Sequence, residues 1–187
     1  MLIPVYFLLL TTSAKALPGE NTDQVAAWVN AHPTLRPDIG DGLSVNKSDT
    51  PARRFSFQAT VLPPGRVKTP SDRRTVRSER VAVYDQINGV TFEQLREALR
   101  TIYGLAIYQD YQQARLIYAY PSSEIADLGR RLRRPLLELQ QGELLLGKRF
   151  AYWLEITQTD DEQVISGQFT ILLPEDLEKL EIELRDH

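Results

Sequence analysis

The chain contains no cysteine, and that single absence removes disulfides, thiolate zinc sites, iron–sulfur ligation and cysteine nucleophiles together. It also removes the acylated cysteine that a lipoprotein anchor would need. Histidine is nearly absent: there are two, and one of them, His187, is the last residue. A multi-histidine metal site cannot be assembled from one interior imidazole, so no metal and no cofactor are expected. His32, at a helix end before Pro33, reads as a capping or surface residue rather than a general base. Glycine-rich phosphate loops and a G-x-S-x-G nucleophile context around Ser44, Ser71 or Ser166 are missing as well. Asp72, Asp110, Asp160, Asp161 and the many glutamates cannot be paired into an acid/base couple by their spacing alone. No apolar run is long enough to span a membrane; the longest, Leu2–Leu10, would rise only about 14 Å as a helix against a hydrocarbon core of ~30 Å.

What is present is the composition of an ordinary folded domain. The 187 residues are 42% apolar and 25% charged, with net charge −3 and eleven scattered prolines. That is one domain's worth of chain with no internal repeat. The apolar run at the N-terminus passes through Thr11-Thr12-Ser13 into Ala14-Lys15-Ala16, an A-x-A site of the kind signal peptidase cuts. Residues 1–16 are therefore expected to be a signal peptide without a positively charged n-region. Residues 17–54 read as an N-terminal helix and linker, and 55–187 as an α+β globular domain.

Hydrophobic periodicity supplies the elements. Asn21 or Thr22 caps a helix with Val25, Trp28 and Val29 on one face, stopped at His32-Pro33. The Pro-, Gly- and Asp-rich stretch from Thr34 to Pro51 reads as a loop. Alternation predicts strands over Phe55–Leu62 and Arg77–Asp85. Thr91-Phe92-Glu93-Gln94 fits a capping box, Val90 and Leu95 stand at hydrophobic-staple positions, and Gly104 sits where a helix should stop. Leu105–Tyr120 is aromatic and β-branched and reads as two strands around Gln109–Gln113. A helix from Glu124 follows, its apolar face continuing through Leu136, Leu137 and Leu139 to Gly142. Phe150–Gln158 and Val164–Leu173 predict a hairpin, and Pro174 opens a C-terminal helix that buries Leu177, Leu180 and Leu184. The expected fold is α+β: an antiparallel or mixed sheet of about four to six strands with helices packed on one face.

Charge is segregated. Arg53, Arg54, Arg66, Lys68, Arg73, Arg74, Arg77 and Arg80 crowd one stretch, and the chain from Glu155 onward is strongly acidic. This suits either a partner surface or two segments that face each other in the fold. Tyr103, Tyr108, Tyr111, Tyr118 and Tyr120 fall within eighteen positions. They read as amphipathic wall residues of a strand pair or as a contact face for a ligand or partner. Arg130, Arg131, Arg133 and Arg134 form a dense basic run suited to an acidic partner, an anionic lipid surface or a phosphate, or to neutralisation by the acidic C-terminal helix. Tyr108, Tyr111, Arg130, Arg131, Arg133 and Arg134 are the candidate partner-binding residues. Nucleic acid is a poor fit to a net negative chain without a recognition module.

The segments AAWVNAHPTLRP, RFSFQATVLPPGR, RSERVAVYDQINGVTFEQLREALRTIYG, IYQDYQQARLIYAYP and RFAYWLEITQ resemble a group of exported cyanobacterial proteins to which no activity is assigned. The resemblance covers most of the chain after residue 23. It implies a periplasmic or thylakoid-lumen setting and carries over no catalytic residue. The function expected from the sequence is that of a non-enzymatic accessory or binding protein, acting outside the cytoplasm on a protein complex or membrane-surface partner. The alternatives are a carboxylate-dependent hydrolase and a small-ligand carrier.

Overall fold

A computed structural model describes residues 17–65, 72–121, 131, 140–158 and 163–186. The expected signal peptide, the expected helix from Glu124 and the turn at 159–162 lie outside them. Two reciprocal capping boxes set the starts of the first two helices. In α1 (Thr22–Ala31) the Asn21 side chain accepts from the Asp23 amide at 2.9 Å, and the Gln24 side chain accepts from the Asn21 amide. In α2 (Phe92–Tyr103) the Thr91 hydroxyl accepts from the Gln94 amide and the Gln94 side chain accepts from the Thr91 amide, and Val90 and Leu95 are both buried as the staple requires.

The strands are β1 (Ser44–Thr50), β2 (Arg53–Thr60), β3 (Ser78–Asp85), β4 (Arg115–Tyr120), β5 (Gln140–Leu146), β6 (Ala151–Gln158) and β7 (Val164–Leu172). They form one antiparallel sheet in the order β1-β2-β3-β7-β6-β5-β4. The α+β class is as expected, with seven strands where four to six were expected. The β6–β7 hairpin pairs Ala151 with Leu172 through Gln158 with Val164.

The pleat sorts side chains onto two faces. On one face Phe57, Val81, Tyr152, Leu154, Phe169 and Ile171 join Val25 and Val29 of α1 and Leu95, Leu99 and Ile102 of α2 in the main core. On the other face Leu144, Ala151 and Leu172 meet Leu180 of the C-terminal helix α4 (Leu177–Arg185). Of the leucines expected to be buried on that helix, Leu180 is buried and Leu177 and Leu184 are partly so; it packs on the face opposite α1 and α2, so helices cover both faces of the sheet rather than the one expected.

Three segments differ from expectation, each for a physical reason. Leu105–Gln112 is a helix, α3, rather than a strand. Gly104 breaks α2 at φ +79°, a conformation that suits glycine, and Ile107, Asp110 and Tyr111 then recur at helical spacing and are buried. Gln140–Leu146 is a strand rather than the tail of a helix; Leu144 and Leu146 face one layer and Leu145 the other, so the run lacks alternation. Ser44–Thr50, expected to be loop, is an edge strand in which Val45 alone is buried.

The segregated charge is in part internal. Arg77 grips Asp176 through Nε (2.9 Å) and Nη2 (2.8 Å) and Glu175 through Nη2, joining the basic stretch to the acidic C-terminal one. Among the described residues no helix is long and apolar enough to cross a membrane.

Candidate functional site

Among the described residues, three closed networks built on tyrosines and carboxylates contrast with one open cleft. Asp110, buried on α3, accepts from the backbone amides of Lys148, Arg149 and Phe150 (3.0–3.4 Å) and from the Tyr152 hydroxyl at 2.8 Å. It pins the helix to the β5–β6 turn. Burial, and then the Asp110 carboxylate, push the Tyr152 phenol up.

Arg96 of α2 donates to the Tyr111 hydroxyl at 2.9 Å, and that hydroxyl donates to Glu143 of β5 at 2.9 Å. Burial pushes the Tyr111 phenol up to about 12. On the opposite face Tyr120 donates to Glu155 and accepts from the Trp153 indole at 2.8 Å, while Gln168 donates to Glu155 at 3.0 Å. Gly142 gives the Tyr120 ring its room, since a Cβ there would overlap the ring.

Each of these carboxylates is engaged by partners within the fold. Glu79 is different: it is fully buried on β3 between Ala59 and Ile171, and among the described residues neither of its oxygens has a hydrogen-bond partner. Desolvation pushes it up to about 8, partly offset by the neighbouring Tyr103 hydroxyl, which also lacks ordinary hydrogen-bond geometry. His32 caps the end of α1. Its Nδ1 accepts from the Thr34 and Leu35 amides, its Nε2 donates to the Ile102 carbonyl at 3.0 Å, and burial lowers its pKa. Among the described residues no cluster of three or more His, Asp or Glu side chains has a metal-holding arrangement.

The remaining assembly is the open cleft. Asn46 and Ser48 of β1, Arg54 and Ser56 of β2, Ala82 and Tyr84 of β3 and Ser166 of β7 line a shallow cleft of about 330 Å³. It lies on the sheet face opposite α1 and α2. The register explains the assembly: Ser48, Arg54, Tyr84 and Ser166 are successive cross-strand neighbours, as are Asn46, Ser56 and Ala82. Small side chains make the floor. The Arg54 guanidinium stacks over the Tyr84 ring, 4.7 Å from its centroid, and forms no salt bridge among the described residues. Its chain neighbour Arg53 is paired with Asp85 at 3.2 Å. Arg80, exposed on the same face of β3, is likewise without an acidic partner among the described residues. Stacking holds the guanidinium plane while leaving its N–H groups free at the edge, a geometry suited to carboxylate oxygens.

Of the residues singled out from sequence, Tyr108, Tyr111 and Arg131 do not line this cleft. Tyr111 has its ring in the core at 7% exposure and its hydroxyl in the Arg96–Glu143 network. Tyr108 is half-buried, with its ring 6.3 Å from that of Tyr111. Arg131 is exposed, and Arg130, Arg133 and Arg134 lie outside the described residues. The cleft residues escaped sequence reading because they come from four strands and meet only through the register. The available signal was the second face of β2 and β3, where Arg54, Ser56 and Gln58 alternate with Phe55, Phe57 and Ala59.

Comparison of the chain with protein-family models, with curated proteins and with solved structures finds no match.

Proposed function

We propose that this is a non-enzymatic binding protein, working outside the cytoplasm in a periplasm or thylakoid lumen, that recognises an acidic segment of a partner protein on the open face of its sheet. The apolar leader with its A-x-A site and the resemblance to exported proteins support the setting. The observation that carries the binding reading is Arg54, stacked on Tyr84 at 4.7 Å and without a carboxylate partner among the described residues, while its chain neighbour Arg53 is paired with Asp85. The hydroxyl and amide groups of Ser48, Ser56, Ser166 and Asn46 around it can bond to a peptide backbone, and the shallow shape suits a protein surface more than an enclosed small molecule. The closed Asp110, Glu143 and Glu155 networks weigh against the hydrolase alternative, because those carboxylates already serve the fold.

The test is capture from the source cell's soluble and solubilised fractions on immobilised wild type and on the R54E/R80E variant. The expected result is a salt-sensitive partner, retained by wild type and lost by the variant, with the two melting within ~2 °C of each other because both arginines are exposed. A partner retained equally by both would overturn the assignment of this face.

A further inference from the structure

Among the described residues β1 pairs only with β2, so the sheet has an open edge there. Leu43 accepts from Ala59, so Leu43, Val45 and Lys47 bond inward, and the backbone groups of Asn46 and Ser48 point away from the sheet. The outward N–H and C=O groups of this edge, ending at Ser48 where the register shifts and Thr50 turns in to face Arg53, are a short template for another strand.

The sequence of this edge, Asn46-Lys47-Ser48-Asp49-Thr50, is complementary to itself when reversed. We propose that β1 pairs with β1 of a second copy of this chain, antiparallel and centred on Ser48, to make a two-fold dimer with one continuous sheet.

In that register Ser48 faces Ser48 of the second copy, and Asn46 faces Thr50. Lys47 faces Asp49, and by symmetry Asp49 faces Lys47, giving two opposite-charge pairs. The backbone phase agrees, because Ser48 is one of the residues whose N–H and C=O point outward. The Lys47–Asp49 positions then fall on non-hydrogen-bonded pairs, where side chains come closest. Lys47 and Asp49 both line a shallow depression at the sheet edge together with Arg53, Arg54, Phe55, Tyr84 and Asp85. Neither has an ion-pair partner among the described residues. Lys47 donates to the Thr34 carbonyl at 3.1 Å, which leaves ammonium hydrogens for a carboxylate. Asp49 is the extra residue where the β1–β2 register shifts between Ser48 and Thr50, so no β2 residue stands opposite it.

Moving the centre by one residue to Lys47 would set lysine against lysine, which disfavours slippage. Lysine and a bulge on an edge strand commonly blunt it; here the bulged residue supplies the charge that the lysine needs.

Sedimentation equilibrium of the full chain is the test. Wild type is expected to dimerise with a dissociation constant in the micromolar range, as befits a contact of a few strand residues. K47D and D49K should each be monomeric, through like-charge pairs, with unchanged circular dichroism. Mixed together, K47D and D49K should form a one-to-one heterodimer, because that combination restores both opposite-charge pairs. A wild type that stays monomeric at high micromolar concentration would overturn the proposal. So would single variants that associate as wild type does, or a mixture that fails to associate while wild type dimerises.

Discussion

Replacing Glu79 with glutamine will raise the melting temperature at pH 8 by roughly 10 °C and leave it almost unchanged at pH 4. The carboxyl is fully buried between Ala59 and Ile171 in the sheet, beside the Tyr103 hydroxyl. Its pKa is pushed up to about 8 by desolvation. Below the unfolded value, near 4.5, the group is protonated in both states and does not affect the balance. Between that value and about 8 the unfolded chain releases the proton while the folded chain keeps it, so stability falls as pH rises. Above about 8 both states are ionised and the loss levels off. Over that window the loss amounts to about 4 kcal/mol in order of magnitude, a large share of a typical domain's stability. Glutamine matches the neutral acid in shape and cannot ionise, so the variant's melting curve should be flat across the same window. Thermal denaturation of both proteins from pH 4 to pH 9 checks this, and parallel curves would refute the buried-acid account.

Asp110→Ala is expected to cost roughly 3–5 kcal/mol in urea or guanidinium titrations. The loss is large because the removed carboxylate serves four donors at once: the amides of Lys148, Arg149 and Phe150 and the Tyr152 hydroxyl. Three of these are backbone groups of a turn beside the core, and water cannot reach all of them once the side chain is gone. Gly147 lies so close to this carboxylate that an added Cβ would overlap it, a sign of how tightly the turn wraps Asp110. A loss below ~1 kcal/mol would mean that the turn is solvated rather than held by Asp110.

How far these features can be read from sequence depends on whether the signal is local. The α2 boundaries are legible because Thr91, Gln94, Val90, Leu95 and Gly104 act within a few residues of one another. The C-terminal helix and the β6–β7 hairpin are legible by periodicity for the same reason. β5 is not, because its leucines are buried on both faces and leave no alternation to detect. β1 is not, because an edge strand with one buried valine has almost no hydrophobic pattern. Tyr111 shows the limit for sites: a tyrosine-rich stretch announces contact area but does not say whether core or partner uses it. Arg54 and Tyr84 stand thirty positions apart, and only the β2–β3 register brings guanidinium and ring together. Glu79 reads as one more charged residue in a strand until its neighbours on β2 and β7 are known.

The same register makes the two sheet faces unlike. One is sealed by α1, α2 and α3 over the apolar core, and the other carries Arg54, Ser56, Arg80 and Ser166 in the open beside the patch covered by α4. Site-specific photo-crosslinking in the source cell is the most direct measurement of which face is used. A photoreactive residue at Ser56, on the cleft floor, is compared with one at Glu97, exposed on α2 across the sheet. The account predicts a protein adduct from position 56, mapped to an acidic segment of the partner and abolished by R54E/R80E, with none from position 97. An adduct from position 97 alone, or lipid as the only species labelled from position 56, would contradict it.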